Sequence, residues 1–264
     1  MFRSVAPRRR LPTLALLVAS LTATGAFLPA RAQVPAAAAP GTSFTPAQRA
    51  EIVAVVREAL KTDPSILSDA VLALRASAQQ KEDADAGAAV RGNRASLSGQ
   101  PGDAILGNPQ GDVTMVEFYD PRCPYCRKVL PDLDALVDGD RKLRLVEKLI
   151  PILGPNSLLD AQAIQAAGAQ NKYAALQRAL MTDSAAPGLD RIKSVAAATG
   201  LDVARLLRDM KSPDVNGVLE RNVALAHTLH ITGTPSFIIG DQIVPGAMAL
   251  ADLRDAVRTE RAAR

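Results

Sequence analysis

The chain has only two cysteines. They stand three positions apart, in Cys123-Pro124-Tyr125-Cys126, where a β-prone run gives way to a helix. That placement constrains the chain more than any other feature. The run Val113-Thr-Met-Val-Glu-Phe-Tyr119 is largely apolar, as for a strand buried on both faces. A helical pattern from about Cys123 to Val137 follows, then a second apolar run, Leu143-Arg-Leu-Val-Glu-Lys-Leu-Ile150. Strand, helix and strand within about 40 residues make a βαβ unit, with the cysteine pair at its first strand-to-helix turn.

A structural staple is a poor explanation of that pair, because closing so small a loop stabilises by only about 2 kcal/mol. Redox chemistry explains it better. A thiol at a helix N-terminus faces unpaired N–H groups and the positive end of the helix dipole, which favour its thiolate. Cys123 is then the exposed nucleophile and Cys126, one turn inside, the resolving thiol, with Arg122 and Arg127 adding positive charge. The only two histidines, His227 and His230, are three positions apart. Their spacing does not suit a Cys2His2 zinc site, and two ordinary helical histidines are the simpler reading.

Residues 151–234 read as helices, for example Val203, Leu206, Leu207 and Met210 on one face. After them, Thr234-Pro235 stands at the entrance to a strand, Ser236-Phe-Ile-Ile239. An X-Pro bond adopts the cis form at a cost of only about 0.5–1 kcal/mol, and a cis bond is expected here. A turn at Gly240-Asp241, a strand at Gln242-Ile-Val244 and a closing helix from about Leu250 complete the chain.

Val-Glu-Phe-Tyr-Asp120 ahead of Cys-Pro-Tyr-Cys, Pro151-Ile-Leu-Gly154, and Gly233-Thr-Pro-Ser-Phe-Ile-Ile-Gly240 together resemble the DsbA-like thiol:disulfide oxidoreductases. The resemblance covers about residues 103–264. It implies an α/β, thioredoxin-like fold with a helical insertion at about 151–234, and an enzyme that needs no metal or organic cofactor. Carried over by position, Cys123 attacks and Cys126 resolves. Thr234 and Pro235 form the loop that faces the disulfide and holds substrate, joined by Pro124 and Tyr125 between the cysteines. Glu117 matches the buried acid that relays the proton of the resolving thiol, and Lys148 its basic neighbour. The implied partners are cysteine-containing exported proteins and a membrane redox partner. Three places depart from the family pattern: Pro121-Arg122 before the motif, Lys172-Tyr173-Ala174 without a Trp, and Glu147 where a core residue is usual.

The N-terminal third has a different character. Residues 1–32 carry five arginines and no acid around an apolar run that ends in Ala30-Arg31-Ala32, the pattern of a cleaved secretory signal. Without them the formal charge falls from +4 to −1, so the high isoelectric point is no sign of a nucleic-acid partner. A periplasmic destination follows, an oxidising compartment that suits dithiol chemistry. Residues 33–43 read as a flexible Pro/Ala-rich leader and residues 44–100 as a helical extension and spacer, leaving 101–264 as the catalytic domain. Thr45, Pro46 and Gln48 form a helix start with a capping box. Ile52, Val55, Val56 and Leu60 make one apolar stripe, and Leu67, Val71 and Leu74 a second after Asp63-Pro64. From Arg75 to Ser98 the chain reads as an exposed helix or a tether.

These helices resemble the extensions of DsbG- and ScsC-type members, which implies a homodimer or homotrimer through residues 44–82 and favours isomerase or reductase work. A monomeric dithiol oxidase and a non-catalytic client-binding (holdase) module are the alternatives. Direction rests on the relative stability of dithiol and disulfide.

Overall fold

The computed structural model describes residues 44–264; the secretory signal read over 1–32 and the leader over 33–43 lie outside the described residues. The chain divides into two units, Met1–Thr62 and Asp63–Arg264.

The described part of the first unit is the helix α1 (Pro46–Thr62) with its two lead-in residues. Thr45 and Gln48 cap it reciprocally: the Gln48 amide donates to Thr45 Oγ1 at 3.3 Å and the Thr45 amide to Gln48 Oε1 at 2.9 Å. No residue of α1 is buried, so the stripe of Ile52, Val55, Val56 and Leu60 is open.

The second unit opens with α2 (Ser65–Gly92), and of the two readings of the stretch from Arg75 the exposed helix holds as far as Gly92. It joins the second stripe to that stretch in one helix of 28 residues. The cause is local: the stretch is rich in Ala, the best helix former, and adds Arg, Gln, Lys and Glu, which also favour helix. Pairs one turn apart reinforce it, Gln79 with Asp83 at 2.9 Å and Lys81 with Asp85 at 2.5 Å. Residues 65–85 are exposed throughout, whereas Gly87 and Val90 are buried. Val90, with Leu97 of the short helix α3 (Arg94–Leu97), joins a core cluster that includes Phe118, Val146, Leu225 and Ile238. Arg91 and Arg94 both pair with Asp241. The end of the expected spacer is therefore part of the catalytic fold.

Among the described residues five strands form one sheet: β1 (Ala104–Gly107), β2 (Val113–Tyr119), β3 (Leu143–Leu149), β4 (Ser236–Ile239) and β5 (Gln242–Pro245), in the order β1-β3-β2-β4-β5. Only β2 and β3 run parallel. The helix α4 (Pro124–Gly139) crosses between them, completing the βαβ unit. The four-residue edge strand β1 was not legible as a strand. A helical insert follows β3, built from α5 (Pro155–Ala167), α6 (Tyr173–Thr182), α7 (Leu189–Ala198), α8 (Val203–Asp209) and α9 (Pro213–Thr228), and α10 (Leu250–Ala262) closes the chain. This is the α/β, thioredoxin-like arrangement with an inserted helical layer.

Both faces of the sheet are covered, which is why β2 and β3 show no apolar/polar alternation. One face meets α4 and α10 through Met115, Leu145, Leu133 and Val257; the other carries Val116, Phe118 and Val146 against Leu225 and Leu229. A third cluster fills the insert around Ile164, Leu176 and Leu206 and reaches both cysteines. Leu97→Ala should lower the unfolding free energy by about 2–5 kcal/mol in a denaturant titration. Lys81→Ala, on the exposed part of α2, should change it by no more than about 0.5 kcal/mol.

Candidate active site

The first turn of α4 sets the dithiol. Cys123 is the N-cap residue with extended backbone, and Pro124 occupies the first helical position, where its missing N–H and fixed φ cost nothing. Cys126 follows one turn in, facing the core. Both cysteines are free thiols. Thr234-Pro235 is a cis peptide. Across 111 residues of sequence, the Cys123 thiol donates to the Thr234 carbonyl oxygen at 3.1 Å. Cys123 is less open than expected, with 5% of its surface exposed. The Thr234 loop and the first turn of α4 cover it. Tyr125, at 64%, is the exposed face of the motif.

One residue that sequence reasoning passed over organises the loop. The side chain of Asp120, at the end of β2, is completely buried. It accepts from the Arg122 amide at 2.7 Å, the Ile152 and Leu153 amides at 2.8 and 3.0 Å, and the Ser157 hydroxyl at 2.8 Å. Its backbone carbonyl accepts from the Cys123 amide at 3.0 Å. Asp120 thus joins the dithiol turn, the exposed apolar pair Ile152-Leu153 and the start of α5. The only sequence signal was its place in the Val-Glu-Phe-Tyr-Asp string. Of the two nearby arginines, Arg122 reaches buried Asp160 at 3.5 Å, and Arg127 donates to the Pro121 carbonyl at 3.0 Å. Asp160 thus offsets part of the positive charge expected at the motif.

Glu117 is buried. Burial first, then the charge of Glu147, raise its carboxyl well above the ordinary range. Burial and the Glu117 charge likewise push the Cys126 thiol up. Contrary to the sequence expectation, Lys148 does not stand beside Glu117. In the parallel register Glu117 lies opposite Glu147, and Phe118 opposite Lys148. Successive strand residues point to opposite faces, so Lys148 lies across the sheet, where its ammonium pairs with buried Asp103. Glu147, noted above as a departure, is the true neighbour. It is buried, and Gln177 Nε2 donates to its Oε2 at 2.7 Å. Tyr173, another departure, is buried beside it, its hydroxyl 2.6 Å from that of Tyr119. Among the described residues no group of three or more His, Cys, Asp or Glu is arranged to hold a metal.

A family model described as the DSBA-like thioredoxin domain matches residues 114–258, more than half of the chain. The chain belongs to the DSBA-like thioredoxin family. A second model, the copper resistance protein ScsC N-terminal domain, matches residues 48–81. Among solved structures, a thioredoxin-like oxidoreductase from Silicibacter pomeroyi DSS-3 is 44% identical with a TM-score of 0.63, covering 65% of this chain and 99% of that one. ScsC from Proteus mirabilis, in a transitional conformation, is 27% identical with a TM-score of 0.62, covering 84% of this chain and 99% of that one. The curated relatives carry another name. The Na(+)/H(+) antiporter NhaA of Herminiimonas arsenicoxydans is 31% identical over 147 residues, which is 55% of this chain and 23% of that protein. The chain thus spans about a quarter of the length of these curated relatives. No helix among its described residues is long and apolar enough to cross a membrane.

Two predictions follow from this family member's site. Asp120→Ala strips a buried acceptor from four donors, each costing about 1–3 kcal/mol when left unpaired. Its unfolding midpoint should fall sharply and dithiol exchange should slow. The second concerns pH. Burial pushes Glu147 up from its ordinary 4.5 to about 7. Between those values the folded chain keeps a proton that the unfolded chain has released. The stability from this group is therefore complete below about 4.5 and is lost as pH rises through about 7. Urea unfolding across that window should show the unmodified protein losing stability relative to Glu147→Gln as pH rises.

Proposed function

We propose that the protein is an exported thiol:disulfide oxidoreductase acting on cysteines of periplasmic or secreted proteins. The observation that carries this reading is the seating of a free dithiol, Cys123 and Cys126, at a helix start against the Thr234 carbonyl of a cis-proline loop. In the reductive direction the Cys123 thiolate attacks a substrate disulfide and forms a mixed disulfide, releasing one substrate sulfur as a thiolate. Cys126 then attacks Cys123 Sγ, closing the Cys123–Cys126 bond and releasing the second substrate sulfur. Oxidation of a substrate dithiol runs the same steps in reverse. Thr234, Pro235, Pro124 and Tyr125 form the substrate-facing surface around Cys123, with Glu117 as the buried base for Cys126. No metal or organic cofactor takes part, and a membrane redox partner resets the dithiol.

The periplasm is supported by the signal pattern over residues 1–32, with cleavage near Ala32, and by a periplasmic thioredoxin-like protein from Salmonella enterica serovar Typhimurium among the similar structures. That structure is 26% identical with a TM-score of 0.57, and covers 64% of this chain and 95% of that one.

Isomerase or reductase work on wrongly paired disulfides is the favoured direction, in a homodimer or homotrimer joined through residues 44–82. The open apolar side chains of α1 and α2 support this, Ile52, Val55, Val56 and Leu60 on the first and Leu67, Val71 and Leu74 on the second. So does the ScsC N-terminal match over residues 48–81. Burial of such side chains yields about 1.5–3 kcal/mol each, enough to offset the entropy of association.

Trapping with a disulfide-bonded client tests the chemistry. Cys126→Ser should accumulate a covalent adduct and Cys123→Ser none, and equal trapping by both would refute the assignment. Sedimentation tests the assembly: the mature protein should be a dimer or trimer, and Val55→Asp with Leu74→Asp should give a monomer that keeps dithiol exchange but loses activity on scrambled disulfides. A concentration-independent monomer from the unmodified chain would refute the assembly and leave a dithiol oxidase.

A further inference from the structure

The oxidoreductase reading uses Glu117 as the base for Cys126 but supplies no cation to it, since Lys148 pairs with Asp103 on the opposite side of the sheet. What the fold does place beside Glu117 is a second carboxyl. Glu117 and Glu147 are register partners on adjacent parallel strands, each with 2% of its surface exposed. Two carboxylates buried side by side do not both ionise readily. The hydrogen bonding around Glu147 also lacks a donor. Its Oε2 accepts from Gln177 Nε2, but its Oε1 and the Gln177 Oε1 are buried without a partner among the described residues. A proton shared between Glu117 and Glu147 supplies the missing donor.

We propose that Glu147 is a positioning residue for the resolving step. In the dithiol state the Glu117–Glu147 pair holds one proton, carried mainly on Glu117, and the Glu147 carboxylate takes that proton over as Glu117 receives the proton of Cys126. The proposal rests on the assignment of Cys126 as the resolving thiol. In that step the Cys126 S–H proton passes to Glu117, the proton already on Glu117 moves to Glu147, and the Cys126 sulfur attacks Cys123 Sγ. The Cys123–Cys126 bond forms as the bond from Cys123 to the substrate sulfur breaks. Its electron pair leaves with the substrate thiolate, which is protonated by solvent. The enzyme dithiol is oxidised, the substrate disulfide is reduced, and the pair goes from one proton to two before returning one to solvent.

Groups from each packed element set the balance. From β2 come Glu117 and Tyr119; from the start and middle of α4, Cys123, Cys126 and Asp134; and from α6, Tyr173, Gln177 and Arg178. Burial raises the proton affinity of both glutamates, while Gln177, the Tyr173 hydroxyl and the Arg178 charge favour the ionised form of Glu147. Arg178 is itself tied to Asp134 at 2.5 Å and half-exposed, so the pair keeps a proton despite it.

The test follows both steps of the reaction of the reduced full-length protein with glutathione disulfide across pH. Attack by Cys123 should be the same in Glu147→Gln and in the unmodified protein. Resolution by Cys126 should slow by about tenfold near neutral pH in Glu147→Gln and recover in Glu147→Asp. Carbon-13 NMR of labelled glutamate side chains should show two coupled ionisations in the unmodified protein. In Glu147→Gln a single one should remain, lying between them. Superposed resolving-step profiles for Glu147→Gln and the unmodified protein would overturn the proposal. So would two glutamates titrating independently at ordinary values in the unmodified protein, a measurement that does not depend on any variant folding. Protein inert to glutathione disulfide would overturn the oxidoreductase reading as well.

Discussion

The buried carboxylate of Asp120 is the interaction on which the rest of the site depends. It stands where β2 ends, and its two oxygens gather donors from the dithiol turn, from the Ile152-Leu153 loop and from the start of α5. Charge-assisted bonds of this kind are about twice as strong as neutral ones, and the low dielectric of the interior strengthens them further. One side chain thereby fixes the start of α4 relative to the inserted helical layer. The Thr234 loop, entering from the other side of β2, meets a thiol whose position is already determined.

Around that anchor the sheet sorts its charges by face. Residue parity along β2 and β3 places Glu117 and Glu147 on the α4 face and Lys148 on the α9 face. The two faces have opposite requirements. Lys148 and Asp103 form a closed ion pair that fastens the lead-in to β1. The two glutamates have no such complement, and their environment holds protons where ordinary carboxyls have lost them. A buried ion pair is stationary chemistry; a buried pair of acids can change its charge as the thiols beside it change theirs.

Much of this was legible in the sequence, for identifiable reasons. The βαβ unit, the capping of α1, the β4–β5 turn and the fold class all follow from patterns that span a few residues or from motifs with fixed spacing. What was missed depended on partners far away in sequence. Neither Lys148 nor Glu147 announces which face it occupies, because a difference of one position in register exchanges them. The burial of Cys123 comes from a loop 111 residues later. The four-residue β1 owes its existence to β3, with Ala104 opposite Glu147. Two of the departures from the family pattern, Glu147 and Tyr173, are neighbours, a relation visible only once β3 and α6 are packed together. The continuity of α2 was under-read for another reason: beyond Leu74 its exposed middle carries no apolar period to report it.

That continuity has a mechanical consequence. At about 1.5 Å per residue, the 28 residues of α2 make a shaft of roughly 42 Å, keyed into the catalytic fold at one end by Val90, Arg91 and the neighbouring Arg94. Its two glycines, Gly87 and Gly92, both lie near the keyed end. A helix transmits angle as well as length, about 100° for each residue. Lengthening the exposed segment by one residue would therefore turn the dithiol a quarter-circle or more around the shaft relative to the Leu67–Leu74 stripe. Seven added residues would return it to within about 20° of its starting direction. The number of residues in a plain, solvent-facing stretch acts as a gear setting that decides which way the reactive sulfur points.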